Sequence, residues 1–427
     1  MDTKKTALVI GTGAGGAVMA RDLQGKYQVT MLEAGKEFRP FSLPVDKLAD
    51  LRRTGLFFDE RLIRLLIPNM RLERSQEVII AHGIGVGGTT TLATGNAVRC
   101  DEKLKEMGID LDAQFEALYR ELPITTAHMN RWNSATRKMY EMFESMGLEP
   151  EVMPKLLNAE DCVNCGHCAI GCPADAKWDT RAMVDEAVRK GANLVTDCKV
   201  TKLLISGNEV TGVEARYHGK KNVWHADLVI LAAGGLDTPV ILENSGIPCS
   251  HTLFVDYVFC VAGVLPGYRQ DRQLLMPFLS RQDGYILSPY MDYLSFFFKK
   301  NWRHPMGDIV SIMIKLADEE TGGISGKRKI DKRMTETDLR NMKRAVAQCR
   351  EILKQMGIPK KEQILGLLNA GHPGGMLPLT AAEKDTLHNP VLPDNLYVAD
   401  ATILPEAPGK PPMLTIMALA AKIAEML

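Results

Sequence analysis

Apolar positions in this chain come in two rhythms, short continuous runs and runs spaced at helical intervals, and their order lays out a fold. Residues 6–10 and 228–231 are nearly continuous apolar stretches, as strands buried on both faces of a parallel sheet should be. A helix is predicted over 14–23 and a second strand over 28–32. Helical spacing also marks 111–122, 133–146, 179–190, 238–244 and 335–356. In the last of these, Asp338 lies near the start and Lys354 near the end, which suits the helix dipole. Strands are predicted over 77–80, 193–196, 200–205 and 210–217, the last two joined by a turn at Asn208-Glu209. The chain closes with strand 396–399, Asp400, a Pro-rich turn, and helix 413–427. Pro411 and Pro412 suit a helix start, where a missing N–H costs little.

Two stretches break these rhythms. Residues 38–74 mix short helical pieces with Arg and Pro and read as an excursion from the core. Residues 285–302 gather aromatic side chains, read as a substrate-domain sheet packed on helices in preference to a membrane-docking surface.

Composition changes this picture little. The chain has 427 residues, enough for two or three domains, with 45% hydrophobic and 24% charged residues, as in soluble globular proteins. Lys+Arg and Asp+Glu both number 52, so no global field favours nucleic acid or a membrane surface. No apolar run approaches the ~20 residues of a transmembrane helix. The first strand follows the N-terminus without room for a signal peptide, and the expectation is a cytoplasmic protein. Nine cysteines, an odd number, argue against a disulfide framework.

The chemistry starts at the first strand. Gly11, Gly13 and Gly16 stand in GxGxxG spacing between strand and helix, with Ala14 and Gly15 beside them. Such glycines allow a tight turn, close approach of backbone to a pyrophosphate, and close helix–strand packing; the helix N-terminus offers free N–H groups to the phosphates. Glu33, at the end of the second strand, can hold a ribose diol and would repel a 2′-phosphate. An ADP-containing dinucleotide is the expected ligand. A second glycine-rich loop, AHGIGVGGTTTLATGNAVR at 81–99, is dense in backbone and hydroxyl donors and suits the same ligand's pyrophosphate or ring system.

Residues 161–173, DCVNCGHCAIGCP, place Cys162, Cys165, Cys168 and Cys172 in the C-x2-C-x2-C-x3-C-P run of bacterial ferredoxins. The spacing predicts an iron–sulfur cluster, [4Fe-4S] first and [3Fe-4S] second. Cys172 completes it, or stays free, or gives way to a remote cysteine such as Cys100 or Cys198. Zinc and a reactive-thiol or purely structural role are the alternatives.

Together these segments resemble the glucose–methanol–choline (GMC) family of flavin oxidoreductases, of the kind with a cysteine-rich insert. The GxGxxG start with LEAG at 32–35 resembles the family's FAD-adenosine site. The second loop matches its flavin loop at Gly87, Gly88, Thr89 and Asn96, and Val200 falls where the family's backbone meets the adenine. LYVADATILPEAPGKPPMLTIMALA at 396–420 resembles the C-terminal signature, which sets Asp400 and the helix from Met413 beside the flavin. Residues 251–365 match only loosely.

The resemblance implies an α/β fold: a Rossmann-like FAD-binding domain, an interleaved α+β substrate domain, and a small iron–sulfur insert. The expected FAD-binding domain is discontinuous, from 1–37, 75–100, 178–250 and 390–427; the insert is 155–177, the substrate domain 251–389, and 38–74 and 101–154 are helical excursions. By the resemblance His372, in AGHPGGM, is the base that takes a hydroxyl proton while hydride passes to flavin N5. Two departures stand out. Gly375-Met376 replaces the family's usual Gly-Thr, and Pro411 stands where a second His or Asn helps to hold the substrate oxygen. Proline has no side-chain donor or acceptor, so either another side chain supplies that contact or the reaction is not ordinary alcohol oxidation.

The expected function is an FAD-dependent dehydrogenase of a CH–OH substrate that relays electrons through the cluster to a redox partner protein, ferredoxin-like or a partner subunit. A ferredoxin-fed reductase of a C=C or C=O substrate and a non-catalytic electron-transfer subunit are the alternatives. Homo- and hetero-oligomers are both compatible with the sequence.

Overall fold

The computed structural model describes residues 4–41, 67–302 and 304–427, so the excursion expected over 38–74 lies largely outside the described residues. Five short strands form one all-parallel sheet in the order Leu396–Val398, Leu228–Leu231, Thr6–Ile10, Gln28–Leu32, Asn193–Val195. The central strand explains itself: Ala7, Leu8, Val9 and Ile10 are all buried, with Ala7 opposite Leu228 on one side and Val29 on the other. Helix Ala14–Asp22 packs against both the C-terminal helix, Met413–Met426, and helix Arg181–Arg189. The N- and C-terminal segments therefore share one core. Alongside lies a three-stranded antiparallel sheet, Cys198–Ser206, Glu209–Tyr217 and Lys220–His225. Lys220–His225 has no apolar pattern to announce it, because its residues stay largely in solvent.

A second, larger sheet builds the opposite wall. Its central strands, Tyr257–Val264 and Ile309–Leu316, pair antiparallel with Val258 opposite Lys315. Alternation divides their side chains between two faces. Tyr257, Phe259, Val261, Ile312 and Ile314 pack under helix Glu336–Gln355, whose Ala345, Cys349, Ile352 and Leu353 are buried. Thr335 and Asp338 close that helix's first turn reciprocally as a capping box. The other face carries Val258, Met313 and Lys315 toward the first domain. Ile79–Gly83 joins this sheet too, pairing in parallel with the two-residue strand Asn369–Ala370. That pairing brings the glycine-rich loop after 83 and the loop holding His372 to one edge.

The aromatic stretch folds inward: strand Tyr285–Pro289 is buried, and Asp292 caps a short helix, Tyr293–Phe298, through the Ser295 N–H. No helix among the described residues is long and apolar enough to cross a membrane.

Candidate active site

The turn after the first strand is built by steric necessity. Gly11 has φ +95°, and a Cβ there would lie 2.4 Å from the Ala232 carbonyl oxygen. Gly16 packs against the Gly11 carbonyl, so helix and strand touch. Gly13 is different: a Cβ built on it meets nothing within 4 Å, because it faces a cavity of about 350 Å³. Ala14 and Gly15 line the same cavity, at a helix start whose leading N–H groups have no partner inside the helix. The second glycine loop meets the first here, with a Cβ on Gly88 falling 3.0 Å from the Gly13 Cα. Gly88 and Thr89 line the cavity, while Gly87 stands behind it, donating its N–H to Thr12 Oγ1 at 3.1 Å.

Glu33 is buried at the cavity edge. It accepts from Thr12 Oγ1 (2.7 Å) and from the N–H groups of Thr12, Gly35 and Gly85. Burial pushes its carboxyl up, against these four bonds. Asp400 follows the last strand of the parallel sheet and accepts from Gly234 N (2.8 Å), Thr238 Oγ1 (2.5 Å) and Thr402 N (2.8 Å). Val200, Asn96 and Met413 complete the wall. Of the thirteen expected cofactor residues, only Gly16 and Gly87 lie outside the lining, each one step behind it. A cradle open at Gly13, two converging glycine loops and a helix N-terminus fit a dinucleotide's pyrophosphate.

At the far end, under the large sheet, stands His372. Its Nδ1 is 3.5 Å from Asp256 Oδ2 and has no other partner among the described residues, leaving Nε2 to the cavity that His372 lines. Asp256 is buried; its Oδ1 accepts the Gly409 N–H at 3.0 Å and its Oδ2 accepts from Lys315 Nζ. Lys315 also donates to the Lys410 carbonyl at 2.9 Å, directly before Pro411, and both Lys315 and Pro411 line the cavity. Burial first, and the Lys315 charge second, push the His372 imidazole below its ordinary value, while Asp256 pulls it back up. The imidazole is thus a neutral base at neutral pH. The sequence reading named His372 but neither Asp256 nor Lys315. A lone charge in the apolar strand IVSIMIKL was the available signal for the lysine.

Two further buried lysines escaped the sequence reading. Lys155 Nζ donates to Asn96 Oδ1 and to the carbonyls of Thr94 and Leu275. Lys177 Nζ donates to the carbonyls of Thr90, Thr91, Ala93 and Cys168, tying the flavin-type loop to the cysteine run.

The run itself does not form the expected centre. Cys162, Cys165, Cys168 and Cys172 are free thiols, and among the described residues no three His, Cys, Asp or Glu side chains gather as ligands of one ion. Cys162 donates to Asn164 Oδ1 at 3.7 Å, and Cys168 is buried in the core beneath the large sheet. Burial raises the thiol of Cys165, in the absence of any metal, to about 11. As placed, the four side chains do not gather as one ligand set; Ala169 and Ile170, between two of them, belong to the cavity wall.

Comparisons with known proteins agree with the geometry of the first domain. The family model described as GMC oxidoreductase matches in two parts, an N-terminal one over residues 5–264 and a C-terminal one over 325–420. An uncharacterised protein of Methanocaldococcus jannaschii is 27% identical over 97% of both chains. An uncharacterised GMC-type oxidoreductase of Mycobacterium tuberculosis is 26% identical over 99% of this chain and 76% of its own. A long-chain-alcohol oxidase of Arabidopsis thaliana is 27% identical over 57% of this chain and 34% of its own. Among solved structures, pyridoxine 4-oxidase from Mesorbium loti superposes with a TM-score of 0.72 at 17% identity, covering 99% of each chain. Formate oxidase from Aspergillus oryzae gives 0.71 at 12% identity, covering 100% of this chain and 98% of its own. These two likenesses speak for the fold.

Proposed function

The chain belongs to the GMC oxidoreductase family, and from that premise we propose that it is an FAD-dependent enzyme oxidising a CH–OH group on an apolar substrate. The observation that carries this reading is His372, set in the cavity wall with Asp256 behind its Nδ1. The residues that would hold FAD are the Gly13 and Gly88 loops at the pyrophosphate, Glu33 at the ribose, Val200 at the adenine, and Asp400 with the Met413 helix at the ring system. When bound, the flavin supplies the hydride acceptor, taking two electrons and the carbon-bound hydrogen. His372 Nε2 takes the hydroxyl proton, so that a carbonyl is left. Asp256 holds the ring and favours the imidazolium that forms. The cavity that His372 lines also carries apolar side chains, Val258, Met276, Leu294, Phe297 and Met313, which favour an apolar substrate and exclude water. Such a built cavity speaks against a role as an electron-transfer subunit alone.

The test is anaerobic mixing of the FAD-loaded protein with a panel of primary and benzylic alcohols. Bleaching of the flavin band with formation of the aldehyde supports the reading. A flavin that stays oxidised with all alcohols, but is bleached by reduced ferredoxin and re-oxidised by an enone or aldehyde, replaces it with the reductase.

A second reading concerns the electron acceptor. The ferredoxin spacing of the cysteine run, with Ala169 and Ile170 in the cavity wall, supports an iron–sulfur centre and a partner protein as acceptor. Iron and sulfide analysis of anaerobically purified wild type and Cys165→Ser decides it. Iron present in the first and lost in the second supports the centre; no iron in the wild type leaves the cysteines structural.

A further inference from the structure

Pro411 removes from this site the side chain that would hold the substrate oxygen, and the structure shows what stands in the gap. Lys315, the last residue but one of strand Ile309–Leu316, reaches from the sheet face into the cavity wall that Pro411 shares. Its ammonium has three N–H donors. One goes to Asp256 Oδ2 and one to the carbonyl of Lys410, the residue before Pro411. The third has no partner among the described residues. A buried ammonium keeps a donor unspent only at a cost, and here the cavity is the open side. The same Asp256 oxygen faces His372 Nδ1 at 3.5 Å. One carboxylate thus sets both a base and a cation at the edge of a single cavity.

We propose that Lys315 is a catalytic residue in place of the side chain absent at Pro411: its third N–H holds the substrate's hydroxyl oxygen beside His372 and stabilises the negative charge that develops there. The inference rests on the alcohol-oxidising reading and specifies its oxygen-binding group. The electron and proton accounting is unchanged: hydride leaves the carbon for the flavin, the hydroxyl proton goes to His372, and Lys315 keeps its own proton throughout. A fixed cation in a water-poor site acts strongly on charge that grows during the reaction. It also repels a proton from His372 and so keeps the base free. The other charged or titratable groups around the pair are Asp256, the Asp318–Lys332 ion pair that receives the Asp256 N–H, and Cys100. The Cys100 thiol lies against the Pro411 carbonyl and stays neutral, held up to about 11 by burial.

The experiment uses FAD-loaded wild type, Lys315→Gln and Lys315→Arg, mixed anaerobically with benzyl alcohol and 1-octanol across a pH series. Glutamine keeps a donor without the charge; arginine keeps the charge. For Lys315→Gln the expected result is full flavin content, flavin reduction slowed by about 100-fold, and an acidic limb of the rate profile moved to higher pH. Lys315→Arg should keep the wild-type limb and recover part of the rate. Unchanged rate and limb in Lys315→Gln overturn the assignment, as does an arginine variant no better than the glutamine one. Should Lys315→Gln not fold, because Asp256 is left without its cation, Asp256→Asn and Asp256→Asn/Lys315→Gln are compared instead. Equal rates in those two overturn the assignment, and a further large loss in the double variant supports it. If wild type reduces its flavin with neither alcohol nor any other in the panel, the functional reading fails, which is distinct from a lysine variant that matches an active wild type.

Discussion

Gly15 and Ala399 meet with no room between them: a Cβ built on Gly15 would lie 1.6 Å from the Ala399 carbonyl oxygen. Ala399 directly follows the last strand of the parallel sheet and donates its N–H to the Leu231 carbonyl at 2.8 Å, so it cannot step aside. Gly13, two residues earlier, has only the cavity beside it. The two glycines of one turn therefore do different work, and substitution separates them. Gly15→Ala should lower the thermal midpoint of the apo protein markedly, by overpacking worth about 1–3 kcal/mol or more. Gly13→Ala should leave the apo midpoint near wild type and weaken FAD binding, read by flavin retained on gel filtration. Equal midpoints for the two variants would contradict this division.

Lys177 is a staple rather than an ion pair. Its four carbonyl partners belong to the flavin-type loop and to Cys168. Lys177→Met removes the donor and leaves those oxygens short of a partner in a buried place, a loss of roughly 3 kcal/mol. Both loops should loosen together. The expected outcome is weaker FAD retention and faster labelling of Cys168 by a thiol reagent in the same variant. Either effect without the other would mean that the two loops are not coupled through this side chain.

Asp318 and Lys332 form an ion pair removed from solvent, 2.8 Å apart. Burial raises the Asp318 carboxyl to about 6, with Lys332 opposing the shift. A carboxyl raised on folding contributes stability that is full below its unfolded value, near 3.9, and is lost as pH rises through the folded value. Lys332→Met takes away the opposing charge. At pH 7 the variant should lose about 3–5 kcal/mol in urea unfolding, the cost of a stranded buried charge. At pH 5, where Asp318 can stay protonated, the gap from wild type should narrow. A gap independent of pH would show that the carboxylate is not what the lysine stabilises.

Much of the first domain was legible because its physics is local. Residues 6–16 carry strand, turn and helix within one short stretch, and each glycine answers to a nearby backbone atom. Helices 181–189, 237–244 and 336–355 were equally plain, since their buried faces repeat at helical spacing. The partners of His372 were hidden for the opposite reason. Asp256 and Lys315 are 59 residues apart and meet only because two antiparallel strands align Val258 with Lys315. Asn369–Ala370, which sets His372 in place, is a strand of two residues, too short for any periodicity. The cysteine run shows the converse limit. Its spacing permits a cluster, but the convergence of four sulfurs depends on chain direction and burial, which spacing does not encode.

His372 as the base is the central claim, and the pH dependence of flavin reduction tests it most directly. Burial and the Lys315 charge hold the imidazole below its ordinary value near 6.5, and the base must be neutral to take a proton. The rate of anaerobic flavin reduction by an alcohol should therefore rise through an ionisation below 6.5 and then level off. In His372→Asn that acidic limb should disappear, with the plateau lowered by about 10²–10⁴-fold and the flavin still bound. A His372→Asn enzyme that keeps both the limb and the plateau would contradict the account.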